Sequence, residues 1–226
     1  MEGRIKMKTA CATATPVELR QVGLQALVAL LGQEPSAELA SLILSEDVQG
    51  SLSAFSERPV YIGALSDLMR LLEVISSDSS GLDAVRSEYR YLFEGAGIPE
   101  VPPWESTYVS NPQLMFQQAT LDVRNEYRRQ GLLPERYPAV ADDHVALEFS
   151  FLANLARRAA AEPDEYLANQ DLTASLRFEK EHLLKWLPLY LSRMNQVDSH
   201  SFFACVIRFA LEFVRADHAL LSNIVQ

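Results

Sequence analysis

The start and stop signals of helices are the feature that most constrains the fold of this chain. Apolar residues recur at helical spacing in almost every segment, and no segment alternates polar and apolar residues as a half-buried strand does. Residues 15–18 (Thr-Pro-Val-Glu) combine a capping residue, a first-turn proline and a capping-box glutamate, which predicts a helix to about Leu31 or Gly32. Asn-Gly and Asp-Gly hairpin turns are absent. The sequence therefore predicts an all-α fold.

Further start and stop signals divide the chain into about ten predicted helices. Capping residues and first-turn prolines predict helix starts at Ser36, Pro59, Asn111-Pro112, Asp142, Asp164 and Asp198 or Ser199. Breaks are predicted at the cluster 76–81, near Phe93, at Gly131, near Ala161 and near Pro188. The last helix carries Phe202, Val206, Phe209 and Phe213 in one stripe, which we interpret as core.

Length and composition favour one helical domain over residues 15–226. The 226 residues are 48% hydrophobic, enough for one sizeable core, and no apolar run reaches the roughly 18 residues of a membrane span. We expect residues 1–14 to form a flexible N-terminal segment, of which residues 1–8 could be foreign to the natural chain. The net charge of −10 disfavours nucleic-acid partners, and the isolated Cys11 and Cys205 favour the reducing cytoplasm.

Motifs of the common nucleotide, zinc and hydrolase enzymes are absent, so no catalytic residue, metal or cofactor is predicted. Glu179 and His182 do have the Glu-x-x-His spacing that di-iron bundles use on one helix face. Such sites need a second copy, which the chain lacks. We therefore interpret this charged stretch as a solvated helix face.

Two connections between predicted helices are unusual. Residues 94–110 form a proline-containing stretch of 17 residues with Trp104 and Tyr108, which favours a packed or ligand-facing loop. The other connection, residues 132–141, leads into Asp142, Asp143 and His144 at a predicted helix start. Capping explains the aspartates but does not require the histidine. His144 and Asp143 could form a structural latch or serve a function.

These two connections carry a resemblance. Residues 88–95 (EYRYLFEG), 101–108 (VPPWESTY) and 142–148 (DDHVALE) resemble, in that order, the paired signature of the TorD/DmsD/NarJ redox-enzyme maturation chaperones. The resemblance implies an all-helical, non-enzymatic protein that binds the twin-arginine leader of a molybdopterin oxidoreductase. Ala96 and Ala141 stand where many relatives have proline, which leaves the client enzyme open.

The resemblance also implies a set of peptide-binding residues. Leu92, Phe93 and Trp104 would receive the apolar part of the leader, and Asp143 and nearby acids would receive its arginines. Without the resemblance, the apolar three would be expected to pack the loop onto the core. The full predicted set is Tyr89, Leu92, Phe93, Pro103, Trp104, Tyr108, Asp143 and His144.

The implied partners are the leader, the apo form of the catalytic subunit and the export machinery. The chaperone itself would be a monomer or a domain-exchanged dimer. Two alternatives from other classes remain. A metal-dependent enzyme could use Asp143, His144 and Glu148, because the last two share a helix face at i, i+4 spacing. A helical scaffold with an unrelated partner would bind no leader.

Overall fold

A computed structural model describes residues 14–94, 99–110, 117–133 and 141–225. These ranges contain helices and no strand, which confirms the predicted all-α class. The α-helices are α1 Pro16–Gly32, α2 Ala37–Ile43, α3 Glu46–Phe55, α4 Pro59–Ser77, α5 Ser79–Tyr89, α6 Ser106–Val109, α7 Gln118–Arg129, α8 Val145–Ala161, α9 Glu165–Phe178, α10 Leu184–Asp198 and α11 Phe202–Ile224. Two π-helical turns, π1 Arg90–Glu94 and π2 Glu179–Leu183, continue α5 and α9.

Most predicted helix ends are confirmed, because local hydrogen bonds determine them. Thr15 and Glu18 form the predicted capping box of α1, in which Thr15 N donates to Glu18 Oε2 at 2.9 Å. Ser36 and Asp164 cap α2 and α9 with their side chains. Gly131, just after α7, has a φ of 67°, a conformation that suits glycine. The predicted start at Asn111-Pro112 lies outside the described residues.

Some predicted boundaries are wrong. Pro188 lies inside α10, where buried neighbours such as Trp186 and Tyr190 outweigh the lost backbone hydrogen bond. Ser201, and not Asp198 or Ser199, caps α11, since its hydroxyl accepts from Ala204 N at 3.1 Å. The connection 94–110 is not wholly irregular either, because its end forms α6.

The core is built around α1, α4, α8 and α11. The predicted stripe on α11 is buried, and Phe213 stacks on Phe55 with a centroid distance of 4.6 Å. Phe213 also lies against Gly23 of α1, where an added Cβ would be 2.1 Å from the ring. In the described ranges no helix combines the length and the apolar character needed to cross a bilayer.

A buried ionic network connects α1, π2 and α11. Arg20 Nε donates to both carboxylate oxygens of Asp217, at 2.8 and 2.7 Å, and its Nη2 lies 3.5 Å from Glu179 Oε1. His218 Nδ1 lies 3.3 Å from Glu179 Oε2. Burial raises the pKa of Asp217 well above its ordinary value and also raises the pKa of Glu179. The predicted solvated face is therefore wrong for Glu179, which is fully buried.

Candidate functional site

The proline-containing loop and the start of α8 are joined through their backbones. Val145 N donates to Pro103 O at 2.9 Å, and Glu105 N donates to Asp143 O at 3.0 Å. These two bonds form an isolated antiparallel bridge that pairs Trp104 with His144. The two rings meet edge to face with a centroid distance of 5.7 Å. The two unusual connections of the sequence therefore lie side by side; we call their junction the loop bridge.

His144 is the capping residue of α8, a role that we had predicted for Asp142. Its Nδ1 accepts a hydrogen bond from Ala146 N at 3.2 Å, so this nitrogen must carry no proton. Burial lowers the pKa of His144 to about 4, against the opposing effect of the Asp143 charge. The imidazole is therefore neutral at physiological pH, and its second nitrogen carries the proton.

The two aspartates fix neighbouring elements instead of capping α8. Asp143 Oδ2 accepts from Ser106 N at 2.9 Å, at the first turn of α6. Asp142 Oδ2 pairs with Arg124 of α7, and its backbone oxygen accepts from the Tyr127 hydroxyl at 2.9 Å. Both aspartates are fully buried. They therefore stabilise the loop bridge. The Asp143 side chain is not accessible to solvent.

A buried acid cluster lies behind the loop bridge. Glu105, Glu148 and His182 are each at most 5% exposed, and Glu105 Oε2 lies 2.8 Å from His182 Nδ1. Glu148 Oε2 accepts from Trp186 Nε1 at 3.0 Å. Burial raises the pKa of Glu105 and raises that of Glu148 well above its ordinary value, where the nearby Glu105 carboxylate adds to the effect. Burial therefore favours the protonated form of Glu148.

His182 contradicts the predicted solvated face for a clear geometric reason. In an α-helix Glu179 and His182 would share one face, but π2 is a wider turn and directs them to different neighbours. Glu179 meets Arg20, whereas His182 meets Glu105. One sequence pattern could have revealed this, because His182, Trp186 and Tyr190 follow each other at i, i+4 and i+8 on the buried side.

Several buried polar atoms around the loop bridge have no hydrogen-bond partner. Tyr108 packs between Trp186 and Tyr190, with both centroid distances at 5.6 Å. Leaving a buried polar group without a hydrogen bond costs about 1–3 kcal/mol. The unpartnered atoms here are Trp104 Nε1, Ser106 Oγ, Tyr108 OH, Asp143 Oδ1, Glu148 Oε1 and Tyr190 OH.

An open cleft of about 490 Å³ lies beside the acid cluster, with Glu105 and His182 among its lining. None of the eight predicted peptide-binding residues lines it, although Glu105 lies directly after Trp104 in the chain. The sequence reasoning missed this cleft because its lining comes from the loop, α6, α7, π2 and α10. Its other lining residues are Val109, Ser110, Gln117, Gln118, Ala119, Asp122, Glu181 and Lys185.

The first motif lies at the start of α11. The ring of Phe93 meets Phe203 edge to face at 5.0 Å, and Tyr89 lies 5.9 Å from the same ring. Leu92 is buried. Glu88 accepts from Phe203 N at 3.1 Å and so helps to cap α11. The structure thus gathers Pro103, Trp104, Tyr108, Asp143 and His144 around the loop bridge. It places Tyr89 and Phe93 against α11 and buries Leu92.

The alternative metal site receives no support from this geometry. Asp143, His144 and Glu148 point to three different structural partners, in α6, α8 and α10. Within the described ranges no three His, Cys, Asp or Glu side chains are arranged to hold one metal ion.

Comparisons with known proteins agree with the signature. A family model described as nitrate reductase delta subunit matches residues 60–191. Chaperone protein TorD of Aliivibrio salmonicida (strain LFI1238) is 23% identical over 197 residues, covering 87% of this chain and 92% of the relative. The TorD chaperone of Vibrio cholerae serotype O1 (strain M66-2) is 24% identical over 200 residues, covering 88% and 90%. That of Shewanella piezotolerans (strain WP3 / JCM 13877) is 23% identical over 220 residues, covering 93% and 96%.

Proposed function

Since the chain belongs to the nitrate reductase delta subunit family, which includes the TorD and NarJ proteins, we propose that it is a cytoplasmic leader-binding chaperone. The relatives are named chaperones, in agreement with the prediction that this chain is not an enzyme. Its ligand would be the twin-arginine leader of a molybdopterin oxidoreductase of the dimethyl sulfoxide or trimethylamine N-oxide reductase class. By holding the leader, it would delay export until the cofactor is inserted.

The observation that carries this proposal is the loop bridge. It holds the two halves of the family signature together, with the partly exposed Trp104 at the surface and unpartnered polar atoms beneath it. A peptide laid over Trp104 would bury apolar area. Burying about 100 Å² of apolar surface contributes about 2.5 kcal/mol, which is enough for reversible binding when combined with polar contacts.

Calorimetric titration with a synthetic leader from a neighbouring molybdoenzyme gene tests the proposal. We expect saturable binding by the wild-type chain and at least a tenfold weaker affinity for Trp104→Ala, because the apolar contact is lost. His144→Ala should also weaken binding, since it removes the other ring of the bridge. Tyr166→Ala is the matched control, because Tyr166 is 73% exposed at the start of α9.

Circular dichroism separates binding from folding in this experiment. The helical signal of all three variants should match that of the wild-type chain at the titration temperature. Absence of saturable leader binding would refute the proposed function. Trp104→Ala and His144→Ala variants that unfold, while their folded fraction binds normally, would show that the loop bridge is only structural.

A further inference from the structure

The buried ionic network that joins α1, π2 and α11 has an unbalanced charge. The single guanidinium of Arg20 faces two carboxyl groups, those of Asp217 and Glu179, and all three side chains are fully buried. Both oxygens of Asp217 accept from Arg20 Nε, as those of an ionised carboxylate do. If Glu179 were ionised as well, the network would bury a net negative charge, which is costly in a protein interior.

Glu179 lacks the contacts that a buried anion needs. Neither of its oxygens receives a hydrogen bond from a donor in the described structure, and Arg20 Nη2 stays 3.5 Å from Oε1. Its neighbour on α11 is a second carboxyl group, that of Asp217, within hydrogen-bonding reach. Two carboxyl groups can form a hydrogen bond only when one of them is protonated. The contacts therefore favour a neutral Glu179 beside an ionised Asp217.

Burial and the neighbouring charges favour the same arrangement. Burial raises the pKa of Glu179 and that of Asp217, so the two carboxyl groups keep a shared proton to higher pH. His218 is the member of the network that meets solvent, and its Nδ1 lies 3.3 Å from Glu179 Oε2. Burial and the charge of Lys180 lower the pKa of His218, against the charge of Asp217. The proton therefore stays on the carboxyl pair and not on the imidazole.

Other charged side chains on the surrounding helices have partners of their own. On α1, Glu18 bonds to Thr15 in the capping box. The remaining ion pairs are Arg158 with Asp171, Arg177 with Glu126, Lys185 with Glu181 and Arg215 with Glu212. The charge balance of the network is therefore set mainly by its own members and Lys180.

We propose that this network is a pH-sensitive switch that fastens α1, π2 and α11 together through one bound proton. The folded chain holds the proton between Glu179 and Asp217, and separation of the three elements exposes both acids to water and releases it. Alkaline pH therefore weakens the contact between the elements, and moderately acidic pH strengthens it. This inference is independent of the leader peptide and goes beyond the proposed chaperone function.

The direction of the pH effect follows from the proton count. Above the ordinary pKa range of carboxyl groups, the folded chain binds one proton more than the unfolded chain, so the equilibrium constant for unfolding rises with pH. Each pH unit should raise this constant about tenfold for as long as the folded chain keeps the proton. Glu179→Gln keeps the shape of the protonated acid and removes its titration, so this variant should lack the effect.

Urea unfolding of the full chain between about pH 6 and pH 8 measures the effect. The unfolding constant of the wild-type chain, divided by that of Glu179→Gln, should rise about tenfold per pH unit. Asp217→Asn should remove the same pH dependence, because Glu179 then balances Arg20 without a proton. Glu181→Gln is the matched control, since Glu181 is about half exposed and pairs with Lys185. The wild-type constant divided by that of this control should not change with pH.

A ratio to Glu179→Gln and to Asp217→Asn that stays constant with pH would overturn the inference, because the folded chain would then hold no extra proton. The same conclusion would follow if both variants were destabilised by one factor at every pH, as expected for a purely structural network. Carbon-13 NMR of the wild-type chain decides the question if the variants do not fold. At about pH 7 the carboxyl carbon of Glu179 should show the chemical shift of a protonated acid, and the shift of a carboxylate on both Glu179 and Asp217 would refute the switch.

Discussion

Acid should destabilise this protein through His144 in particular. The imidazole caps α8 with an unprotonated Nδ1, and burial lowers its pKa to about 4 from an ordinary value of 6.5. Protonation would convert the capping acceptor into a donor that faces the Ala146 N–H. The unfolded chain therefore binds this proton more readily than the folded chain.

The sign and size of the effect follow from this difference in pKa. The stabilisation from neutral His144 is fully present above pH 6.5 and is lost as the pH falls towards 4. Its maximum, from a pKa lowered by about 2.5 units at 1.36 kcal/mol per unit, is about 3 kcal/mol. Between about pH 7 and pH 5 the expected loss is about 2 kcal/mol.

Urea unfolding of the wild-type chain and of His144→Asn measures this term. Asparagine is a good capping residue without a titrating group, so the variant keeps an acceptor for Ala146 N. Other buried acids, including Glu105 and Glu148, are present in both proteins, and taking the difference between the two removes their contribution. The free energy of unfolding of the wild-type chain, relative to that of His144→Asn, should fall by about 2 kcal/mol on acidification from about pH 7 to pH 5.

If the difference in the free energy of unfolding between the two proteins stays constant with pH, the expected role of His144 is refuted. It would mean that His144 titrates in the folded chain as it does in the unfolded chain, and that its ring is open to solvent. An increase in the free energy of unfolding of the wild-type chain relative to His144→Asn on acidification would contradict even the sign of the expected effect. It would mean that the Asp143 charge stabilises the protonated imidazole more than burial disfavours it.

Two further predictions concern the core. Gly23→Ala should lower the free energy of unfolding by about 1–3 kcal/mol, because the new methyl group overlaps the buried ring of Phe213. Gly63→Ala, in a helix position with open space, should raise the free energy of unfolding by roughly 0.5–1 kcal/mol. If thermal or urea unfolding showed Gly23→Ala to be more stable than Gly63→Ala, the packing described would be contradicted. Arg20→Met should lower the free energy of unfolding by about 3 kcal/mol or more, since it leaves buried acids without their cation. Adding Asp217→Asn to the same chain should restore part of this loss. Full stability of Arg20→Met would disprove the buried network.

The fold was predictable where helix ends depend on neighbouring residues. Thr15 and Glu18 bond across three positions, and Gly131 ends α7 through its own φ. The two π turns were not predictable in the same way, because distant contacts hold them. π2 is fixed by the contacts of Glu179 with Arg20 and of His182 with Glu105, and propensity carries no information about partners so far away in sequence.

The candidate site was located by resemblance and its chemistry was only partly anticipated. The signature correctly brought the loop and the start of α8 to notice, and the geometry joins Trp104 to His144. Capping rules assigned the cap to an aspartate, since a histidine is rarely the capping residue and its low pKa comes from tertiary burial. Glu105 and His182 were missed because they become neighbours only when α6 packs near π2.

The loop bridge has a consequence for engineering this protein. Main-chain groups of residues 103, 105, 143 and 145 make its two hydrogen bonds, so the position of residue 104 does not depend on what its side chain is. A saturation library at position 104 would therefore change the shape and polarity of this surface while keeping the scaffold in register. The acceptor at position 144 must be retained in such a library to preserve the helix start.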